Sequence, residues 1–108
     1  MMKKKYSEMT EHELWEEVAY LNEKSKKAEQ LGMVNEFAVY EQKRVMAEAY
    51  MLNPDDFMAG QRYSIKQEAG TFFVKYYNGV FAWGFREQSE KLEALPISLL
   101  DSIKPSSI

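Results

Sequence analysis

Asn78-Gly79 lies between two aromatic-rich runs, and the stretch 71–86, TFFVKYYNGVFAWGFR, constrains the chain more than any other. Asn-Gly flanked by β-prone residues signals a hairpin, because a type I′ turn needs positive φ at both central positions. A two-residue loop also sets register. It predicts Tyr77 opposite Val80, Tyr76 opposite Phe81, Lys75 opposite Ala82, Val74 opposite Trp83 and Phe73 opposite Gly84. Side chains alternate along a strand, so Phe72, Val74, Tyr76, Phe81, Trp83 and Phe85 are expected on one core face. Thr71, Phe73, Lys75, Tyr77, Val80, Ala82, Gly84 and Arg86 fall on the other, with Phe73 placed to cover the strand glycine Gly84. A lone hairpin is marginal in water, so further strands or a helix must cover it. Phe73, Tyr77 and Val80 make the second face more apolar than solvent requires. Either a helix of the same chain covers it or a partner does, and small mixed domains usually bury such faces themselves.

Upstream the pattern turns helical. Residues 3–5, three lysines, read as a solvated start. Thr10 with Glu13 makes a capping box, and Met9 with Leu14 a hydrophobic staple. Leu14, Val18, Leu21, Ala28 and Leu31 recur at helical spacing, and Gly32 supplies the stop. A second helix is expected over 34–52, with Val34, Phe37, Ala38, Val45, Ala49 and Leu52 as its apolar stripe. Asn53-Pro54 ends it. Two helices so closely linked pack as an antiparallel hairpin. Downstream, 61–67 and 91–95 read as short strands, 97–100 as a helical turn plugging a barrel end, and 101–108 as a possible last strand. The fold class expected is therefore α+β: a helical hairpin over 1–53 and a small antiparallel SH3-like β-barrel over 54–108, packed as one unit.

Several blocks read together as familiar: KYSEMTEHEL, KAEQLGMVNEFAVYEQK, MAEAYMLNP, NGVFAWGFR and EALPISLL. From about residue 5 to 100 they resemble the YfhH-like family of small proteins from Bacillus and its relatives. The resemblance implies the same helical hairpin and SH3-like barrel. It implies no activity and no site residues.

Composition narrows function by exclusion. A chain of 108 residues with 45% hydrophobic and 14% aromatic residues supports a folded core. It has no cysteine, hence no disulfide, thiolate metal site or thiol nucleophile, which suits the cytoplasm. No apolar run reaches the length of a membrane span, and no apolar segment follows the first lysines as in a secretion signal. The net charge of −3 argues against a dedicated nucleic-acid binder.

Chemistry-bearing groups are sparse. His12, the single histidine, reads as a solvated residue of the first helical turn. Glu11, Glu13, Glu16 and Glu17 spread around an exposed turn and complement the helix dipole. The Asn53-Pro54-Asp55-Asp56 run reads as capping and turn, lacking the glycine and later glutamate of a calcium loop. No phosphate loop, nucleophile elbow or metal-ligand spacing appears. We therefore expect no enzyme and no cofactor. A protein-interaction or self-association module is the first expectation, with Phe73, Tyr77, Lys75 and Arg86 on the hairpin and Trp15 and Tyr20 on the first helix as candidate contacts. The alternative is nucleic-acid binding or an accessory role in transcription, with Lys66, Lys75, Arg86 and Lys91 beside Tyr63, Phe73 and Tyr77 as stacking platforms.

Overall fold

In the computed structural model, which describes residues 4–102, the helix signalled by Thr10 runs as α1, Glu11–Gln30. Thr10 Oγ1 accepts from the Glu13 amide at 3.1 Å, and Glu13 Oε1 accepts from the Thr10 amide at 2.9 Å. Met9 packs against Leu14, so the staple accompanies the box. The expected loose start is more ordered: Tyr6–Glu8 forms a 3-10 turn and Lys4 Nζ reaches Glu13 Oε2 at 3.0 Å. Lys3 lies outside the described residues. Gly32, at φ +71°, ends α1, with the Met33 amide donating to the Ala28 carbonyl. Then α2 runs Val34–Met51, antiparallel to α1, and Asn53-Pro54 closes it through a second 3-10 turn.

The chain divides into two compact units, Met1–Leu52 and Asn53–Ile108. In the first, Leu14, Leu21 and Ala47 form the buried centre, with Val18, Tyr40, Tyr50 and Met51 packed against it. The α2 stripe thus includes Tyr40, Ala47 and Met51, spaced by seven and four. Of the expected stripe, Ala49 is fully buried and Phe37 and Val45 are half-buried, whereas Ala38 and Leu52 are exposed. Leu31 and Val34 flank the Gly32 turn, beyond the overlap of the helices, and stay exposed. Polar groups share this interior. The Tyr6 hydroxyl donates to Glu17 Oε2 at 3.0 Å, and burial followed by that bond pushes the Tyr6 pKa up to about 12. The Ser25 hydroxyl donates to Glu41 Oε2 at 2.8 Å, and Arg44 bridges Glu41 and Glu48. Glu17, expected on an exposed turn, is buried.

The second unit is a five-stranded antiparallel sheet: β1 Arg62–Ile65, β2 Thr71–Asn78, β3 Phe81–Arg86, β4 Glu93–Pro96 and β5 Leu100–Ser102. Its order is β4-β3-β2-β1-β5. A 3-10 turn, Ile97–Leu99, joins the two edge strands. β4 and β5 are not paired with each other, so the sheet is open, and barrel closure is not among its hydrogen bonds. The last strand expected within 101–108 begins at Leu100; residues 103–108 lie outside the described residues.

The hairpin register differs from the expected one. Asn78 faces Phe81, Tyr77 faces Ala82 and Tyr76 faces Trp83. After an irregularity between Val74 and Tyr76, Val74 faces Gly84, Phe73 faces Phe85 and Phe72 faces Arg86. Asn78 stays in β2, and of the Asn-Gly pair only Gly79 takes positive φ, +60°. That is the arrangement of a type II′ turn, with Gly79-Val80 at its centre. Two forces favour it. Val80 becomes buried and accepts the Ile97 amide at 2.9 Å. Inward, β3 then carries Ala82 and Gly84, small enough for close strand approach, with Val80 just before the strand, while Phe81, Trp83 and Phe85 turn outward. Phe72 and Val74 remain inward as expected, fully buried beside Tyr63, Ile65, Ile97 and Leu100. Gly84 is covered by no aromatic partner across the ladder, since its pair is Val74.

Candidate interaction surface

The slipped register builds an aromatic face from three cross-strand rows. One is Arg62–Phe73–Phe85, the next Tyr76–Trp83–Ala94, the third Asn78–Phe81–Pro96. Phe73, Phe81, Trp83 and Phe85 are half-buried and Tyr76 is exposed. The rings turn to one another: Tyr76 and Trp83 stack at 6.0 Å with 8° between planes. The Arg62 guanidinium sits 5.8 Å from the Phe73 ring centroid and donates to Thr71 Oγ1 at 3.2 Å. Arg62, Phe73, Phe85 and Arg86 line a shallow hollow of about 390 Å³.

The charges of this face are unequal. Arg86 is held by Glu68 at 2.6 Å and Glu93 at 3.2 Å, which raise its pKa and neutralise it locally. Arg62 and Lys75, by contrast, have no ion-pair partner among the described residues. Lys75 lies at the irregularity of β2, exposed.

Of the expected contacts, Phe73 is on this surface, Lys75 lies at the strand irregularity and Arg86 lines the hollow. Tyr77 is on the opposite side of β2. Its ring packs 6.4 Å from Phe57, its hydroxyl donates to the Met58 carbonyl at 3.3 Å, and burial together with Tyr63 drives its pKa upward. Trp15 and Tyr20 are both exposed, on another unit, and five positions apart on α1 they point about 140° from each other. They form no single patch. Trp15 stacks on His12, which reaches Glu16 at 2.8 Å; Lys24 sits 5.6 Å from the Tyr20 ring centroid. Tyr76, Phe81, Trp83, Phe85 and Arg62 escaped the sequence reading. The alternation of Ala82 and Gly84 with three aromatics on β3 is the signal that points to them.

Among the described residues, no group of three or more histidine, cysteine or acidic side chains is placed to hold a metal ion. Asn53 Oδ1 accepts from the Asp55 amide at 3.0 Å, a capping geometry. No helix is long and apolar enough to cross a membrane.

Two comparisons bear on kinship. The family model described as "Protein of unknown function (DUF1811)" matches residues 4–101. The uncharacterized protein YfhH of Bacillus subtilis is 53% identical over 100 residues, covering 92% of this chain and 96% of its own.

Proposed function

The chain belongs to the DUF1811 family of proteins of unknown function, and we propose that it acts as a non-catalytic protein-interaction module. The outer face of its sheet meets a partner protein that offers an apolar surface with a carboxylate at its margin. One observation carries this reading: two of the outward rings, Trp83 and Phe73, already have a face covered. Tyr76 covers Trp83 and Arg62 covers Phe73. Rings so arranged offer edges and apolar flanks to a protein surface, whereas base stacking needs free faces. The unpaired charge of Arg62 at the end of one row suits a carboxylate and sets orientation. A meander whose fifth strand returns to pair with the first is compatible with the SH3-like barrel expected from sequence, an architecture that binds peptides at aromatic-lined grooves. A cytoplasmic setting accords with a chain lacking cysteine.

The test is photo-crosslinking in bacterial cells from position 81, compared with an exposed control at Asp55. A discrete product that disappears with Arg62→Glu supports the reading. Crosslinking indistinguishable from the control would sink it. So would micromolar oligonucleotide binding by the purified chain that weakens steeply with salt.

A further inference from the structure

Beyond the sheet, the first unit carries a groove of opposite electrostatic character to the chain as a whole. Three hollows of about 440, 250 and 190 Å³ run along one flank of α2. The first two share Lys43, and the last two share Glu36 and Tyr40, so they follow one another along the helix as a row of adjoining hollows that together make the groove. On α2 its floor follows Glu36, Val39, Lys43, Met46 and Tyr50, spaced by three and four. That spacing is a single helical stripe roughly 21 Å long at about 1.5 Å per residue.

Between the charged Glu36 and Lys43 the stripe is apolar and open. Val39 is 47% exposed, and Leu31 and Met33 at the tip are 67% and 41% exposed. Methionine adapts to irregular apolar partners, which suits a recognition groove. The rim is cationic. Lys5, Lys24, Lys27 and Lys43 border the three hollows, against Glu36 as their one carboxylate. Lys5, Lys27 and Lys43 have no carboxylate partner among the described residues. A chain of net charge −3 therefore concentrates uncompensated positive charge around this row of hollows.

We propose that this groove takes an acidic amphipathic helix of a partner protein. A ridge spaced by three and four is the surface against which another helix packs, and the groove is long enough for about four turns of one. The guest's apolar stripe lies on Val39, Met46 and Leu31, and its carboxylates meet Lys27 and Lys43. This is a second surface, on a different unit from the aromatic sheet face.

The experiment uses two synthetic helical peptides of about 18 residues (~27 Å) with one shared leucine stripe. One has glutamates on its polar face, the other lysines. Each is titrated into the isotope-labelled full chain and followed by NMR. The glutamate peptide is expected to bind at least about tenfold more tightly, and more weakly as salt rises. Shifts should centre on Val39, Lys43 and Met46. The doubly substituted Lys27→Glu, Lys43→Glu chain, confirmed folded by circular dichroism, should lose the preference, whereas Tyr76→Ala should keep it. Equal affinity for the two peptides, no binding of either, or shifts centred on Trp83 would overturn the proposal. Sedimentation showing that a second copy fills the groove would overturn it too, as would selective binding to phosphatidylserine vesicles over the peptide.

Discussion

Gly84 meets the main chain of Phe73 so closely that a β-carbon on Gly84 would lie 1.8 Å from the Phe73 carbonyl oxygen. The obstacle is backbone, and it belongs to the paired strand, so no rotamer change relieves it. Gly84 is thus required by approach and not by dihedral angle. It lets β3 press onto β2 at the point where β2 departs from regular pairing.

Gly84→Ala should therefore destabilise the sheet unit by about 1–3 kcal/mol or more, the range for forced overpacking. Urea unfolding followed by tryptophan fluorescence measures it. Wild-type stability in Gly84→Ala would mean that the strands are farther apart than described.

The inverted face of β3 separates residues that sequence reasoning grouped together. Phe72 is fully buried, and Phe72→Ala should cost about 3–5 kcal/mol. Trp83 and Phe85, expected on the same core face, are half-buried on the outer one. Phe85→Ala should cost only about 1–2 kcal/mol and leave a folded protein. Equal losses at the two positions would restore the original register.

What the sequence disclosed and what it hid divide by the range of the cause. Thr10 and Glu13 reveal a helix start because each bonds to the other three residues away. Gly32 and Asn53-Pro54 are equally local. Asn78-Gly79 is local too, but it admits two neighbouring turns, and the choice rests on Val80 meeting Ile97 across the sheet. A slip of one residue inverts a strand. On β2 the irregularity at Lys75 absorbs it, so Phe72 and Val74 kept their face while Tyr76 and the aromatics of β3 changed theirs. The candidate surface was legible at Phe73 and illegible at Trp83 for this reason. Glu17 was hidden similarly, since the hydroxyl that bonds it in the interior comes from Tyr6, eleven residues earlier.

The helical hairpin should weaken in acid through Glu41. Hydrogen bonding from Arg44, aided by Ser25, holds the Glu41 carboxyl below its ordinary range despite partial burial. A depressed folded-state pKa means that the unfolded chain binds the proton more readily. The stabilisation is thus complete above the ordinary glutamate value of about 4.3 and is lost as pH falls through the lower folded value. Glu41→Gln should flatten the acid limb of a stability–pH profile read by circular dichroism. A residual slope should remain, because the Thr10 amide and Lys4 also lower Glu13. An unchanged profile would show that Glu41 titrates alike in both states.

Tyr76 and Tyr77 are adjacent and should behave as opposites. The Tyr77 hydroxyl donates to the Met58 carbonyl on the inner side, so Tyr77→Phe should cost about 0.5–1.5 kcal/mol of stability. It should leave crosslinking from an outer-face position such as Phe81 unchanged. Tyr76 stacks on Trp83 on the outer side, and Tyr76→Ala removes a ring pair worth about 0.5–1.5 kcal/mol. Its larger effect should fall on partner capture, because the Trp83 face is then bared and the apolar flank is lost. Chemical denaturation gives the first quantity and crosslink yield from position 81 the second. If Tyr77→Phe abolished the crosslink while Tyr76→Ala spared it, the partner would be meeting the other side of β2, and the outer aromatic rows would have only a packing role.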